Sequence, residues 1–333
     1  VGSYPIPIAL NDPGGRLANY TLIQNVGNLT VVRRDLTVVA DDLSKVYGAP
    51  ITLTGTVTGV QPGDNITFTY SSPGTALTAP VGTYSIAITM SDPGNRIGNY
   101  NYTATPGTLT VTPRALVVTP DDKSKQYGTW FLAFTGTITG IQNGDIITAN
   151  YSSPGSLPTA AVGNYDITPT LNDPTGKLGN YAVTLNLGVL TVSSSALTVT
   201  ADNKSIVYGS ADPAFTFTYF GFAAGDTPAV LTTEPTCTVA GPHTDVGSYP
   251  IVCSGGVDDA YTFTYIAGTL NVTPRTLLVI PGDKTKVYGD VFTAFTGTIT
   301  GIQNGDAITA TYASTGALAT ATVAGSPYPI TAT

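Results

Sequence analysis

A tyrosine-glycine pair recurs along the chain at a nearly constant interval, and this repetition constrains the fold more than any other feature. The four copies are Tyr47-Gly48, Tyr127-Gly128, Tyr208-Gly209 and Tyr288-Gly289. Successive copies lie 80, 81 and 80 residues apart. A fixed period of this kind indicates one structural unit copied in tandem, and each copied pair is predicted to have a structural role.

A second marker, Gly-x-Leu-Thr/Asn-Val, keeps the same period. It begins at Gly27, Gly107, Gly188 and Gly268. Because two separate markers stay in step, we expect three complete repeats and two partial ones. The predicted segments are the C-terminal part of a repeat (1–34), complete repeats at 35–114, 115–195 and 196–275, and the N-terminal part of a repeat (276–333). The sequence starts in the middle of the pattern, as a piece of a longer, processed polypeptide would.

Composition restricts the fold class and the partners. The chain of 333 residues has a single glutamate, Glu234, but 37 glycines and 24 prolines. Few helix formers and many β-branched residues and turn formers predict an all-β protein. Charged residues make up 10 % of the chain and the net charge is −8, so nucleic acid is not an expected partner. No apolar run approaches the ~20 residues of a membrane span.

The strand pattern predicts a small sandwich. Segment 35–114 contains six apolar-polar alternating stretches: LTVVA, ITLTGTVTG, NITFTY, TYSIAITM, YNYTAT and GTLTVT. Short strands between regularly spaced turns are typical of an immunoglobulin-like β-sandwich or a Greek-key barrel. Strict alternation places one side of each strand on the core and a Thr-rich side in solvent.

The junctions between repeats lack a flexible spacer. The last strand of one repeat passes directly into the first strand of the next through Thr112-Pro113-Arg114, and again through Pro274. Without a Gly/Ser-rich or charged linker, neighbouring domains should bend little. We therefore predict an extended rod of domains of about 80 residues each.

The repeats resemble a known family. The run ADNKSIVYGSADPAFTFTYFGFAAGD (201–226), followed by VGSYPIVCSGGVDDAYTFTYIAGTLNVTP, is similar to the MBG domain (mostly β, glycine-rich) of the YGX type. The other repeats resemble it more loosely. The family occurs as tandem arrays in large secreted and surface proteins of bacteria, many of them adhesin-like. The resemblance implies an extracellular or cell-surface location and specifies no activity.

The only cysteines and the only histidine lie in the third repeat. Cys237 and Cys253 are both on predicted strands joined by a returning loop, which predicts a cross-strand disulfide. Redox catalysis is the weaker reading, because a C-x-x-C motif is absent. His243 is expected to be a surface residue in a loop. A single histidine leaves too few ligands for zinc and allows a catalytic triad in one repeat at most.

Recurrent aspartates fall into three classes. They are the strand-end pairs (Asp41-Asp42 and Asp121-Asp122), the Gly-Asp turns (Asp64, Asp145, Asp226 and Asp306) and the Asp-Pro turns (Asp12, Asp92 and Asp173). Turn formation explains them, since Asp bonds its own backbone two residues on. Calcium at the domain ends is the alternative, although no dense D-x-D-x-D loop occurs. The same recurrence argues against a glycosidase carboxylate pair.

The motif tyrosines are expected to be structural, with the ring at the edge of the core and the hydroxyl on backbone. Exposed aromatics such as Trp130 and Phe131 offer an alternative role, because such rings can stack on sugars. Several Asn-x-Ser/Thr triplets occur in a chain so rich in threonine that chance explains them.

The sequence predicts a non-enzymatic structural protein outside the cell, without a cofactor, that forms a stiff rod or fibre. The alternative is an adhesin module that binds a glycan or a protein of a host or neighbouring cell. Expected partners are adjacent repeats and other copies of the chain, through lateral bundling of Thr-rich faces or head-to-tail strand addition between the two partial repeats.

Overall fold

The computed structural model describes residues 1–223 and 225–333, which form two compact units. The first unit comprises 1–123, 132–154 and 165–190, and the second comprises 124–131, 155–164 and 191–333. Within the described residues the secondary structure is β-strand with short 3₁₀ turns and no α-helix, so the all-β prediction is confirmed. None of the described residues forms a helix long and apolar enough to cross a membrane. The repeat boundaries stay a prediction, because each unit contains parts of more than one repeat.

The first unit contains the first partial repeat and the first complete repeat. Their strands are β1 (Gly2–Ile6), β2 (Gly27–Val31), β3 (Arg34–Ala40), β4 (Leu43–Val46), β5 (Gly55–Thr58), β6 (Thr67–Ser71), β7 (Gly82–Ser91), β8 (Tyr100–Thr105) and β9 (Gly107–Thr112). Strands β1 and β2 form an antiparallel pair. The complete repeat has a three-stranded sheet in the order β5-β3-β8 and a four-stranded sheet in the order β4-β9-β7-β6.

The second repeat has the same succession of strands. They are β10 (Arg114–Pro120), β11 (Lys123–Gln126), β12 (Gly136–Thr139), β13 (Thr148–Ser152), β14 (Gly163–Asn172), β15 (Tyr181–Leu185) and β16 (Gly188–Ser193). In the first unit, β12, β10 and β15 form a three-stranded sheet with β10 at its centre. Strand β13 pairs with β14 in antiparallel fashion.

The second unit contains the third repeat and the last partial one. Their strands are β17 (Ser195–Ala201), β18 (Lys204–Val207), β19 (Phe217–Phe220), β20 (Thr236–Val239), β21 (Gly247–Ser254), β22 (Tyr261–Ile266), β23 (Gly268–Thr273), β24 (Leu278–Pro281), β25 (Gly297–Thr300), β26 (Tyr312–Ala313) and β27 (Thr331–Ala332). The sheet orders β19-β17-β22 and β18-β23-β21-β20 match those of the first repeat. The described 3₁₀ turns are Leu17–Asn19, Pro73–Thr75, Ile97–Asn99, Pro154–Ser156, Leu178–Asn180, Pro228–Val230, Thr315–Ala317 and Val323–Gly325.

Both sheets of a repeat contribute to one core, which defines a sandwich. In the first repeat, Ala40 from the three-stranded sheet packs with Ile86 and Leu109 from the four-stranded sheet. In the third repeat, Val199 packs with Ile251 in the same way. Apolar residues alternate with exposed Thr and Ser along the strands, as the sequence predicts for a half-buried sheet.

In the first and third repeats, the first and last stretches run parallel to each other through both sheets. Strand β3 pairs with β8, and β4 pairs with β9, with a constant offset of 66 residues. The third repeat has the same offset. The chain therefore enters a repeat at one end of this parallel pair and leaves at the other.

The second sequence marker lies where the paired stretches cross from one sheet to the other. A side chain at Gly107 would place Cβ 2.5 Å from the Asp41 carbonyl oxygen, so only glycine fits. The next backbone N–H, of Thr108, donates to Asp42 Oδ1 at 2.7 Å. In the third repeat the N–H of Thr269 donates to Asn203 in the same way.

The different burial of equivalent positions predicts that the same substitution has a large effect at one and a small effect at the other. Ile86 is fully buried, whereas Ile6, at the same position of the β1–β2 pair, is 50 % exposed. We expect Ile86→Ala to destabilise the first repeat by about 2–5 kcal/mol, because it removes packed methylene groups and leaves a cavity. Ile6→Ala, as the matched control, should change stability by less than about 0.5 kcal/mol. Urea denaturation followed by circular dichroism measures both, and equal effects would contradict this assignment of the core.

Candidate functional site

The motif tyrosine of the first repeat contacts the second repeat. The Tyr47 hydroxyl donates to Asp145 Oδ2 at 3.0 Å, and the Tyr181 hydroxyl donates to the same oxygen at 2.7 Å. The rings of Tyr47 and Tyr181 meet edge to face, with centroids 5.5 Å apart. The backbone N–H of Gln142 donates to the Tyr181 oxygen at 3.0 Å. One carboxylate of the second repeat thus binds tyrosines from two repeats, and we call this arrangement the joint.

The motif glycine is required at the joint for two reasons. Gly48 has a φ of 79°, in the left-handed region that glycine tolerates best. A Cβ atom there would lie 2.9 Å from the side chain of Gln142 in the next repeat. The tyrosine-glycine pair therefore lets the two repeats approach closely.

Apolar packing and two amide side chains complete this joint. Tyr47 and Val111 of the first repeat share a buried cluster with Leu116 and Ile147 of the second. Asn143 donates its side-chain N–H to the Leu77 carbonyl oxygen at 3.0 Å. The N–H of Val81 donates to the buried side chain of Asn180 at 3.0 Å. The contact therefore combines buried apolar side chains with hydrogen-bonded polar groups.

The second unit contains two further joints of the same type. Tyr127 of the second repeat meets Tyr261 of the third with ring centroids 5.7 Å apart, and the Tyr261 hydroxyl donates to Asp226 at 2.5 Å. Tyr208 of the third repeat donates to Asp306 of the last partial repeat (276–333), which we call the fourth repeat, at 2.9 Å. A Cβ at Gly209, whose φ is 77°, would lie 2.6 Å from Gln303.

The first and the last repeat each contain one half of a joint without its counterpart. In the first repeat, the Tyr100 hydroxyl donates to Asp64 at 2.5 Å, which reproduces the contact between Tyr181 and Asp145. In the fourth repeat, the motif residue Tyr288 is 62 % exposed. The intrarepeat half of the joint therefore forms independently of the incoming tyrosine.

Burial controls the ionisation of the joint tyrosines. Burial raises the pKa of Tyr181 to about 12, with the Asp145 carboxylate adding to the effect. The pKa of Tyr261 is also raised, mainly by burial and next by its hydrogen bond to Asp226. Tyr47 and Tyr127 have raised pKa values for the same leading reason. All four hydroxyls therefore remain protonated and available as donors at neutral pH.

The remaining predicted residues take no part in the tyrosine-aspartate contacts of the joints. Cys237 and Cys253 are opposite each other on β20 and β21 and form a disulfide. His243 lies in a loop, and its Nε2 is 2.8 Å from Asp212, whose carboxylate raises the pKa of the histidine. Trp130 is 62 % exposed.

The Asp-Pro and Gly-Asp aspartates have different structural roles. The Asp-Pro aspartates cap 3₁₀ turns; Asp92, for example, accepts the N–H groups of Arg96 and Ile97 at 2.9 and 2.8 Å. Each Gly-Asp aspartate closes a turn, as expected, while its carboxylate binds tyrosine. In the described part of the chain, no cluster of three or more His, Cys, Asp or Glu residues is arranged to hold a metal ion.

Sequence reasoning missed the acceptor of the motif tyrosines. The expected backbone acceptor is replaced by a carboxylate 98 residues further along the chain, at both Asp145 and Asp306. A usable signal existed, because the second joint tyrosine recurs with the same period at Tyr100, Tyr181 and Tyr261. Also missed was Lys45, buried on β4, whose ammonium donates to the carbonyl oxygens of Thr75 and Ala76 at 3.2 and 2.6 Å. Burial lowers the pKa of Lys45.

The fold and the joints define a protein of tandem β-sandwich repeats. The chain belongs to the MBG domain (YGX type) family, whose model matches residues 36–110, 116–191, 197–271 and 277–333. The family's name describes the pair that forms the joint. The resemblance noted from the sequence is therefore confirmed for four tandem repeats. A comparison with characterised proteins found no significant sequence match.

Several solved structures are similar in part. They include the three N-terminal domains of the bacteriophage RB49 Hoc protein (10 % identity, 72 % of this chain and 99 % of that chain, TM-score 0.27). A second is the Clostridium thermocellum CbhA fibronectin(III)-like modules (20 % identity, 47 % of this chain and 93 % of that chain, TM-score 0.18). A third is the four N-terminal Ig domains of Dscam1 isoform 4.44 (11 % identity, 74 % of this chain and 76 % of that chain, TM-score 0.21). With TM-scores this low, these likenesses carry no functional argument.

Removing one joint hydroxyl should weaken the joint. We expect Tyr47→Phe to lower the free energy of unfolding by about 1.5 kcal/mol, because a hydrogen bond to a carboxylate is lost. Tyr288→Phe is the matched control, since its hydroxyl belongs to an exposed motif tyrosine, and it should have little effect. Urea denaturation monitored by tyrosine fluorescence distinguishes the two, and equal midpoints would exclude an energetic role for the hydroxyl.

Alkaline pH should destabilise the same joint. The pKa of a tyrosine in an unfolded chain is about 10, whereas the pKa of Tyr181 in the folded protein is about 12. The contribution of Tyr181 is therefore complete below pH 10 and is lost as the pH rises through 12, by at most about 3 kcal/mol. Stability measured by urea denaturation at a series of pH values should fall less steeply in Tyr181→Phe. A variant that loses stability as steeply as the parent would refute this origin.

Proposed function

We propose that the chain is a segment of an extracellular, non-enzymatic structural protein whose joints hold successive repeats at fixed angles, so that the array acts as a stiff stalk or fibre of a bacterial cell surface. The observation that carries this proposal is the joint itself. The same tyrosine, glycine and aspartate recur at junction after junction, which is expected when the relative position of neighbours is the property that matters.

The connections between repeats support the same function. A single residue separates β9 from β10, and a single residue separates β16 from β17. The backbone N–H of Tyr47 donates to the carbonyl of Thr112, the last residue of β9, at 2.9 Å. A connector this short, fixed beside a packed interface, permits little hinge motion.

A non-catalytic role agrees with where the perturbed groups lie. Strongly shifted pKa values often mark catalytic clefts. Here the two largest shifts belong to Tyr181 and Tyr261, whose hydroxyls bind the joint aspartates. The disulfide between Cys237 and Cys253 and the MBG repeats are consistent with an extracellular protein.

Electron microscopy of the purified chain tests the proposal. We expect extended particles with a narrow distribution of angles between repeats. Gly48→Val and Gly209→Val should broaden that distribution, because the new side chain meets Gln142 or Gln303 of the next repeat. Gly289→Val is the matched control: its φ of 94° imposes comparable backbone strain, but no atom lies within 4 Å of the added Cβ. Compact particles of the parent protein, or equal broadening in all three variants, would overturn the proposal.

A second candidate function is adhesion to a glycan, and the exposure of Trp130 favours it. An accessible indole ring can stack on a sugar face, and Leu132, two residues further along the chain, is 79 % exposed. A glycan array probed with the full chain and with Trp130→Ala distinguishes the two functions. Binding that disappears in the variant would establish adhesion, whereas a pure spacer binds nothing.

A further inference from the structure

We propose that the parallel pairing between the first and last stretches of each complete repeat is a tension-bearing element, which makes these repeats resist unfolding when the array is pulled from its ends. This inference rests on the proposed function, since only an array under tension would use such an element. We call the element the tension zipper; in the first repeat it joins residues 34–46 to residues 100–112.

The geometry of the zipper determines how a force acts on it. A pull along the chain enters the first repeat at Arg34, the beginning of β3, and leaves at Thr112, the end of β9. Because the two stretches are parallel, these points lie at opposite ends of the paired region. The stretches can separate only by sliding past each other, which loads all of their hydrogen bonds together rather than one after another.

The zipper continues through the point where it changes sheets. Between the β3–β8 and β4–β9 pairs, the Asp42 carboxylate accepts the N–H of Thr108 at 2.7 Å and bridges the gap. Asn101 donates to Asp35 at 3.0 Å across the first pair. At the far end, the N–H of Tyr47 bonds the carbonyl of Thr112, so the zipper ends at the joint.

The same features recur in the other complete repeats. In the second repeat, Asp122 accepts the N–H of Val189 at 2.7 Å. In the third, β17 pairs with β22 and β18 with β23 in parallel, and the N–H of Tyr208 bonds the carbonyl of Thr273. The second aspartate of each strand-end pair, Asp42 or Asp122, therefore belongs to the zipper.

The disulfide lies outside the zipper and has a different mechanical consequence. It joins β20 to β21, neither of which belongs to the parallel stretches. When the third repeat unfolds, the 16-residue separation between Cys237 and Cys253 cannot extend, which withholds ~55 Å of contour length. Addition of a reductant should therefore lengthen one unfolding step, and that step identifies the third repeat.

Single-molecule pulling of the full chain tests the zipper. We expect several-fold higher unfolding forces with handles at the two termini than with handles at Thr67 and Ser91. The latter two residues face each other at the end of the antiparallel β6–β7 pair, where β6 is an edge strand. A pull there opens the pair one hydrogen bond at a time. Equal forces in the two geometries would overturn the inference.

Two matched aspartate variants locate the resistance. Asp42→Ala removes an acceptor of a backbone N–H inside the zipper and should lower the force of one unfolding step. Asp92→Ala removes an acceptor of two backbone N–H groups in a 3₁₀ turn outside it. That variant should leave every unfolding force unchanged even if it lowers stability in urea. Equal forces in Asp42→Ala and Asp92→Ala would contradict the assignment.

The outcome is distinguishable from failure of the proposed function. If electron microscopy shows extended particles but the chain unfolds at low force in the pulling experiment, the tension-bearing role is removed and the spacer role remains. If the particles instead show freely varying angles between repeats but the chain unfolds only at high force, the stiff-spacer role is removed and the mechanical resistance of the zipper remains. The two results are separate because the zipper lies within a repeat and the joint lies between repeats.

Discussion

The sharing of one aspartate between two tyrosines is the interaction on which the arrangement of neighbouring repeats depends. A half-buried carboxylate loses part of its hydration, and this cost is offset only if donors replace the water. At Asp145 the donors are the hydroxyls of Tyr181, from the same repeat, and of Tyr47, from the preceding one. The intrarepeat bond prepares the site, and the incoming tyrosine completes it. The glycine after each motif tyrosine brings the backbones close enough for that bond.

The joint and the tension zipper meet at the same residue. Tyr47 places its hydroxyl on the next repeat while its backbone N–H bonds the last strand of its own repeat. A force carried along β9 therefore reaches a position that is fixed on both sides. This connection gives the motif tyrosine two contacts, one within its own repeat and one with the next repeat.

Much of the fold could be predicted because it follows from local patterns. Alternation in GTLTVT predicts a half-buried strand, and β9 buries Leu109 and Val111 while it exposes Thr108. The cysteines were placed on neighbouring strands for the same reason. The acceptor of Tyr47 could not be found in this way, because hydroxyl and carboxylate lie 98 residues apart. The lysine at position 45 was also missed, since nothing in its neighbourhood shows that two carbonyl oxygens from a distant turn will bind its ammonium.

By itself, the sequence determined the period, the all-β class, the positions of the turns and the residues that alternate between core and solvent. These are properties of short stretches, in which side-chain volume, backbone preference and hydration act over a few residues. Only the tertiary structure decided which strands run parallel, where Gly107 lets the chain cross between sheets, and which carboxylate each motif tyrosine binds. Those outcomes depend on groups that meet only after the sandwich has closed and the next repeat has packed against it.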